Sequence, residues 1–375
     1  MLQVLTAKIQ ICPDAVQSEV LQRTMAVYLR LCNAVSDYIF KTHDLVQSSV
    51  NKSLYYALRS EFGTPSQMTQ SAIRSVIAAY RTLLSNCDPW MKVKFRHGFY
   101  DLVWNRDYGL KPGRFSINSL DGRLQIAYHE KGMSKYFDKS EYTFGSAKLL
   151  RRHGKFYLHV SVSHEVPDVA DDQICNIVGI DRGINFIAAT YDSKGKSCFY
   201  SGRAIKNKRA NYRRLRHELQ MNRTRSARRR LCRINQRENR WASDVNHKVT
   251  KALVEGNPTG TLFVLEDLAG IREGCLVKKP KSDRPIYVSW NYFDFEQKLA
   301  YKAARAGSKV VKVNRAYTSQ ACPKCGHTEK ANRDKHLHLF TCKACGYRSN
   351  DDRVAAMNLH RKGIEYLVPD AVVGE

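Results

Sequence analysis

The chain has 375 residues with 43% hydrophobic content, enough for two or three domains with cores of their own and unlike a disordered polypeptide. Sixty-two basic against 35 acidic residues leave a formal charge of +27, more than solubility requires and opposed to compaction, so a polyanion is the expected partner. No apolar run reaches the length of about 18 residues that a membrane span needs, and the first residues lack the basic start and apolar stretch of a signal peptide; a cytosolic protein is expected.

Residues 1–12 alternate, with Leu5, Ala7, Ile9 and Ile11 on one face, and predict a strand. Helical stripes follow within 13–87. Leu21, Met25, Tyr28, Cys32, Val35 and Ile39 form one; Ile73, Ile77, Tyr80 and Leu84, after Pro65-Ser66, form another, and both are assigned to core. From Asp88 the period changes. Val93 and Phe95 alternate with lysines, Asp121-Gly122 marks a hairpin turn, and His153-Gly-Lys155 joins two further strands. These patterns predict an antiparallel β unit, 1–12 with 88–170, interrupted by a helical insertion.

Past the acidic linker 167–172, Ile177-Val-Gly-Ile180 delivers Asp181 at its end and is followed by return strands at 187–191 and 198–200, the way an RNase H-like sheet begins. Between Arg203 and Arg240 stand 15 Lys or Arg against only Glu218 and Glu238, with no proline. The sparse apolar positions Leu215, Leu219, Leu231 and Ile234 suit helices with one narrow buried stripe, leaving the other faces for phosphate. Candidate contacts are Arg203, Lys206, Lys208, Arg209, Arg213, Arg214, Arg228, Arg229 and Arg230, and binding should be strongly salt dependent. A second apolar strand, Leu262-Phe-Val-Leu265, delivers Glu266-Asp267, and Asp352 opens an Ala-rich helix.

Asp181, Glu266 and Asp352 are far apart in sequence, and each has an ordinary reading as turn cap, arginine partner or helix N-cap. Together they offer hard oxygen ligands for two divalent ions about 3.5–4 Å apart, the arrangement used in phosphodiester cleavage. Cys322, Cys325, Cys342 and Cys345 form two C-x2-C pairs, each followed by glycine. Four thiolates at this spacing suit one structural, tetrahedral Zn2+ with no open position for substrate. The other seven cysteines, at 12, 32, 87, 175, 198, 232 and 275, are scattered and are expected to be reduced.

Ile177 to Asn185, Asp244 to Lys248, Phe263 to Leu268, Gln297 to Ala303, Tyr317 to Gly326 and Asn350 to Asn358, in this order, resemble the split RuvC domain of TnpB, the transposon-encoded RNA-guided nuclease, and of its miniature type V-F CRISPR relatives. The resemblance covers roughly residues 174–367. It implies an α/β multi-domain protein with a split RNase H-like (RuvC) nuclease domain at 171–316 and 347–375, the basic helices 203–256 lying within it. A zinc-binding target-strand-loading domain would occupy 317–346, a wedge-like β-barrel 1–12 and 88–170, and a helical recognition domain 13–87.

The resemblance further implies that Asp181, Glu266 and Asp352 hold two catalytic Mg2+ ions, with Asp267 and Asp351 outside the ligand set, since Glu266 and Asp267 leave a regular strand on opposite faces. Val354 stands where the family usually has Asn, and Arg182 where it often has Leu. The implied partners are a structured guide RNA and double-stranded target DNA cut beside a short flanking motif, with sequence read by base pairing. Tyr55, Tyr56, Phe99, Tyr100 and Trp104 are candidates for base stacking or for core. Alternatives are an unguided transposase or resolvase-like nuclease, a nuclease-inactive RNA-guided repressor, and a zinc-ribbon transcription factor. The three intact acids weigh against the repressor, and a loop and strand at 332–340 weigh against a reading helix.

Overall fold

The computed structural model describes residues 1–234, 237–268, 292–334 and 337–368. Positions 235–236, 269–291 with Cys275, 335–336 and 369–375 lie outside the described residues, so the corresponding parts of the predicted domains are not assessed. The fold is α/β and divides into two units, Met1–Glu165 and Val166–Glu375.

The first unit comprises β1 (Leu2–Cys12), α1 (Ala15–Thr42), α2 (Gln47–Phe62), α3 (Ser66–Ser85), β2 (Phe99–Leu102), β3 (Tyr108–Lys111), β4 (Arg114–Ser119), β5 (Gly122–Tyr128), β6 (Tyr142–Arg152) and β7 (Lys155–Glu165). Its seven strands run in the order β2-β6-β7-β1-β5-β4-β3. The first strand thus joins the later ones: β1 pairs antiparallel with β7 from Leu2 opposite Glu165 to Ile11 opposite Phe156. The helices enter as an insertion. Asp14 accepts a hydrogen bond from the Gln17 amide at 2.8 Å while the Gln17 side chain accepts one from the Asp14 amide, a reciprocal cap that starts α1. The predicted stripes of α1 and α3 then bury Tyr28, Val35, Ile39, Ile73 and Tyr80 in one core.

Three expectations need correction here. Residues 88–97 form no strand; Val93 and Phe95 are held individually, their amides donating to the Tyr80 hydroxyl and to the Asn33 side chain, which takes the place of a ladder. No ladder among the described residues joins the edges β2 and β3, so the sheet is open and not a closed barrel; its four-residue edges leave few backbone groups to pair. Leu84 is 48% exposed because it falls in the last turn of α3. Phe99 and Tyr100 are core residues packed around Tyr28, whereas Tyr56 is exposed.

The second unit comprises β8 (Asn176–Asp181), β9 (Phe186–Asp192), β10 (Ser197–Ser201), α4 (Arg203–Met221), α5 (Arg225–Ile234), α6 (Arg237–Glu255), β11 (Thr261–Glu266), α7 (Tyr292–Arg305), β12 (Lys309–Val313), β13 (Arg333–Asp334), β14 (Leu339–Thr341), β15 (Arg348–Asn350) and α8 (Asp351–Leu367). Five strands form the sheet β10-β9-β8-β11-β12, with β8, β11 and β12 parallel and β9 and β10 antiparallel. Alternation divides the side chains of β8 and β11 between two faces. Val178, Ile180, Phe263 and Leu265 pack with Phe295 and Leu299 of α7; Ile177, Leu262 and Val264 pack with Leu359 of α8. β13, β14 and β15 form a separate small sheet whose last strand runs three residues past the boundary expected at 347, directly into α8.

Candidate active site and zinc centre

The strand ends place the first two acids. Leu265 lies opposite Ile180 in the parallel ladder, so Glu266 comes beside Asp181. Both belong to the parity of Ile177 and Val264, the face covered by α8. That helix can approach because Gly179 and Gly363 carry no side chain. A Cβ at Gly179 would come within 2.1 Å of the Ala356 carbonyl oxygen, and one at Gly363 within 2.6–2.7 Å of Val264 and Ile177. The close crossing brings the N-terminus of α8 to the strand ends. There Asn350 caps the helix, accepting from the amides of Asp352 and Arg353, each at 3.1 Å.

Asp181, Glu266 and Asp352 therefore line one cleft of about 350 Å³ with Arg333, His338 and Asp351. Burial, then the charges of Glu266 and Asp352, push the Asp181 carboxyl well above the usual carboxylate range, with Arg333 opposing. Burial and the neighbouring Asp351 also raise Asp352, which lies within hydrogen-bonding reach of Asp181. The Thr318 hydroxyl donates to Glu266 Oε1, and the Asn358 side chain donates to the Thr318 carbonyl at 2.7 Å, tying this support to α8.

Asp351 is engaged by its own neighbours. Fully buried, it accepts from Arg333 Nε at 2.7 Å and from the Asp352 amide at 2.9 Å, and it lies 3.5 Å from His338 Nδ1. His338, Asp351 and Asp352 nevertheless bring ligating atoms within 4.8 Å of one another. Asp351 is thus paired with a guanidinium while it remains part of this group. Asp267 has the opposite strand parity to Glu266 and is absent from the cleft lining. The sequence reading missed Arg333 and His338, which no spacing marks, and Thr318, which lies inside a quoted motif.

A crowd of carboxylates opposed mainly by one arginine suits a hard divalent cation, which would relieve the repulsion that raises Asp181. The four cysteines suit a soft one. Cys322 and Cys345 sulfurs are 3.6 Å apart, as are those of Cys325 and Cys342. Four sulfurs around zinc at about 2.3 Å would be about 3.8 Å apart. The amides of Cys345 and Ala344 help pull the Cys342 thiol down to about 6, while the neighbouring sulfurs push Cys325 up to about 12, so without a metal the four thiols share their protons unevenly.

Of the predicted nucleic-acid contacts, Lys208, Arg229 and Arg230 line an open cavity of about 800 Å³ between α4 and α5, with Tyr212, Arg233 and Arg237. Leu219 and Ile234 are buried and Leu215 and Leu231 partly so, with Leu215 and Ile234 forming part of the cavity wall. Arg203, Lys206, Arg213, Arg214 and Arg228 are exposed. Arg209 corrects the prediction: it is only 9% exposed, with Glu238 the charge that offsets its burial, so it belongs to the inside of the helical group.

The OrfB family model, described as a probable transposase, matches residues 159–269, and a Cas12f1-like TNB domain model matches 292–359. The CRISPR-associated endodeoxyribonuclease Cas12f1 of Sulfoacidibacillus thermotolerans is 28% identical over 62% of this chain and 56% of its own length. InsQ of Escherichia coli K12 is 24% identical over 80% of this chain and 75% of its own, and the TnpB-like protein MJ1635 of Methanocaldococcus jannaschii is 30% identical over 37% of this chain and 30% of its own. The chain spans little more than half the length of its Cas12f1 relatives, 56% and 52% in two of them. A cryo-EM structure of a Cas12f1-sgRNA-target DNA complex shares the fold at a TM-score of 0.58 and 12% identity, covering 96% of this chain and 98% of that one. CasPhi-2 bound to crRNA shares it at 0.53 and 11%, covering 100% and 99%. Two family models in chain order over the strands, acids and cysteines described above, together with these relatives, make the chain similar to TnpB-like and Cas12f-type effectors.

Proposed function

We propose that this protein is an RNA-guided DNA endonuclease whose hydrolytic centre is of the RuvC type, built from Asp181, Glu266 and Asp352. The observation that carries the reading is the convergence of three acids from two parallel strand ends and a helix start on one cleft, in a chain of net charge +27. The names of its relatives support it: Cas12f1 is called an endodeoxyribonuclease, and the related solved complex holds guide RNA and target DNA. Structured guide RNA and double-stranded DNA are accordingly the proposed partners. A split RuvC domain, a zinc-binding loading domain and an N-terminal wedge with helical insertion are the proposed domains.

In this reading the three acids hold two Mg2+ ions and the four cysteines one Zn2+. Bound magnesium supplies an activated water and charge stabilisation at the leaving oxygen. The chain's own residues prepare the place. Thr318 orients the Glu266 carboxylate, Arg333 and the N-terminus of α8 offset the charge of Asp352, and the exposed cations of α4 to α6 attract the phosphodiester backbone. The four cysteines would hold zinc with no position open to substrate, which would give it a supporting role in the segment that leads into α8.

Alanine at Asp181, Glu266 or Asp352 should lower guided cleavage by about a thousandfold or more, equivalent to roughly 4 kcal/mol of transition-state stabilisation, while RNA assembly persists. A cleavage assay with reconstituted guide RNA measures this. Retained cutting in all three variants would refute the centre, and equal cutting by RNA-free protein would refute guidance.

A further inference from the structure

Arg182 follows Asp181 in sequence and leaves the strand on the opposite face, the one covered by α7. Its side chain is only 1% exposed. One guanidinium nitrogen donates to the main-chain carbonyl of Glu266 at 2.6 Å; the other reaches the Tyr292 carbonyl at 3.4 Å and lies 3.6 Å from Glu296 Oε2. Glu296 in turn reaches Lys312 of β12 at 3.2 Å. A single planar cation therefore ties the end of β8 to the end of β11, to the first turns of α7 and, through Glu296, to β12.

Stability alone does not account for this group. A buried ion pair is commonly matched or exceeded by well-packed apolar residues of similar volume. What an apolar residue lacks is the directional grip on the Glu266 carbonyl. Glu266 is the last residue of β11, where the ladder ends, and its carboxylate is held from the other side by Thr318. Its main chain and side chain are thus held by separate donors, one on each face of the sheet.

We propose that Arg182 is a positioning residue: by holding the Glu266 carbonyl beside Asp181, it sets the geometry of the acid cluster and hence its affinity for divalent cations. The inference rests on the acid cluster being the metal centre proposed above. Arg182 acts through Glu266 and does not itself touch substrate.

Mn2+ titration followed by electron paramagnetic resonance reads cation affinity without cleavage, on the full-length, zinc-loaded protein. Arg182→Met, similar in length and apolar, should weaken Mn2+ binding by about 10-fold, the effect common for groups that orient metal ligands. Guided cleavage should need correspondingly more metal and recover most of its rate at saturation. Arg182→Lys keeps a charge but loses the planar fork, so it should weaken binding in the same direction by a smaller factor, and it supplies the test if the Met variant does not fold. Wild-type affinity in whichever of the two variants folds would overturn the proposal. Asp181→Ala and Glu266→Gln separate the two levels of inference. If they lose Mn2+ binding while folded Arg182 variants keep it, the positioning role fails alone. If they too bind as wild type, the metal-centre reading fails and the proposal falls with it.

Discussion

The two units invest their interiors differently. Met1–Glu165 buries one continuous apolar core in which α1, α3 and the seven-stranded sheet meet, and Asp107 is the only buried Asp, Glu, Lys or Arg among its described residues. The second unit divides its apolar residues among several smaller clusters and buries Arg182, Arg209, Glu238, Lys298, Asp351 and Asp352. Charge taken out of water is costly unless it is paired or binds a metal. On the proposed function, the contrast separates a unit whose interior serves folding from one whose interior holds chemistry in place. If that distinction is right, substitutions in the two interiors should have effects of opposite character.

Zinc removal should give the largest effect. Structural zinc in small domains contributes an apparent free energy on the order of 10–16 kcal/mol, and the small sheet β13-β14-β15 has little else beneath it than Phe340, Val354 and Tyr347. Cys345→Ser should lower zinc content from about one per chain to near zero, measured by atomic emission. Hydrogen exchange should then accelerate across the small sheet and the start of α8 while the first unit keeps its protection. Uniform loss of protection in both units would break the comparison.

The next effect belongs to the first unit. Leu31 is fully buried in α1, and Leu31→Ala should cost about 2–5 kcal/mol through lost burial and the cavity left behind. Thermal unfolding would show it, at roughly 2–4 °C per kcal/mol for a unit of this size. Below the transition, cleavage per folded molecule should be unchanged. A drop in cleavage with stability intact would mean that this interior also serves the reaction.

Periodicity made this difference legible only in part. The helical stripes of α1 and α3, the hairpin turns and the strands that deliver Asp181 and Glu266 were readable, because each is local and repeats at the period of its own element. The four cysteines were readable for the same reason. The irregular stretch 88–97 was misread as strand, since alternation of Val93 and Phe95 with lysines marks alternate burial and does not say whether a backbone ladder forms. Arg209 looked like its exposed neighbours because its burial depends on Glu238, nearly thirty positions away on another helix. Arg333 and His338 carried no local mark at all; they reach Asp351 and Asp352 only because the small sheet folds back onto the start of α8.

The smallest and most discriminating effect concerns the sign of a substitution at Asp181. Burial and the charges of Glu266 and Asp352 raise its pKa in the folded protein, and Asp352 is raised as well. For a carboxyl raised on folding, the native state binds more protons, so its stabilising contribution is present below the unfolded value of about 3.9 and is lost as pH rises through the folded one. In magnesium-free buffer, the stability of the wild type relative to Asp181→Asn should fall as pH rises above about 4, because ionising Asp181 places another negative charge in a crowded cleft. Asp181→Asn removes that charge while keeping the shape. It should be more stable than the wild type by on the order of 1 kcal/mol near pH 8, about 2–4 °C, with the gap closing toward pH 4. Added Mg2+ should reverse the order, since the wild type gains a bound cation that the Asn variant holds poorly. Thermal unfolding across pH, with and without Mg2+, checks both halves. A gap independent of pH would place the gain in packing, and no response to Mg2+ would deny that the second unit's buried charge exists to hold a metal.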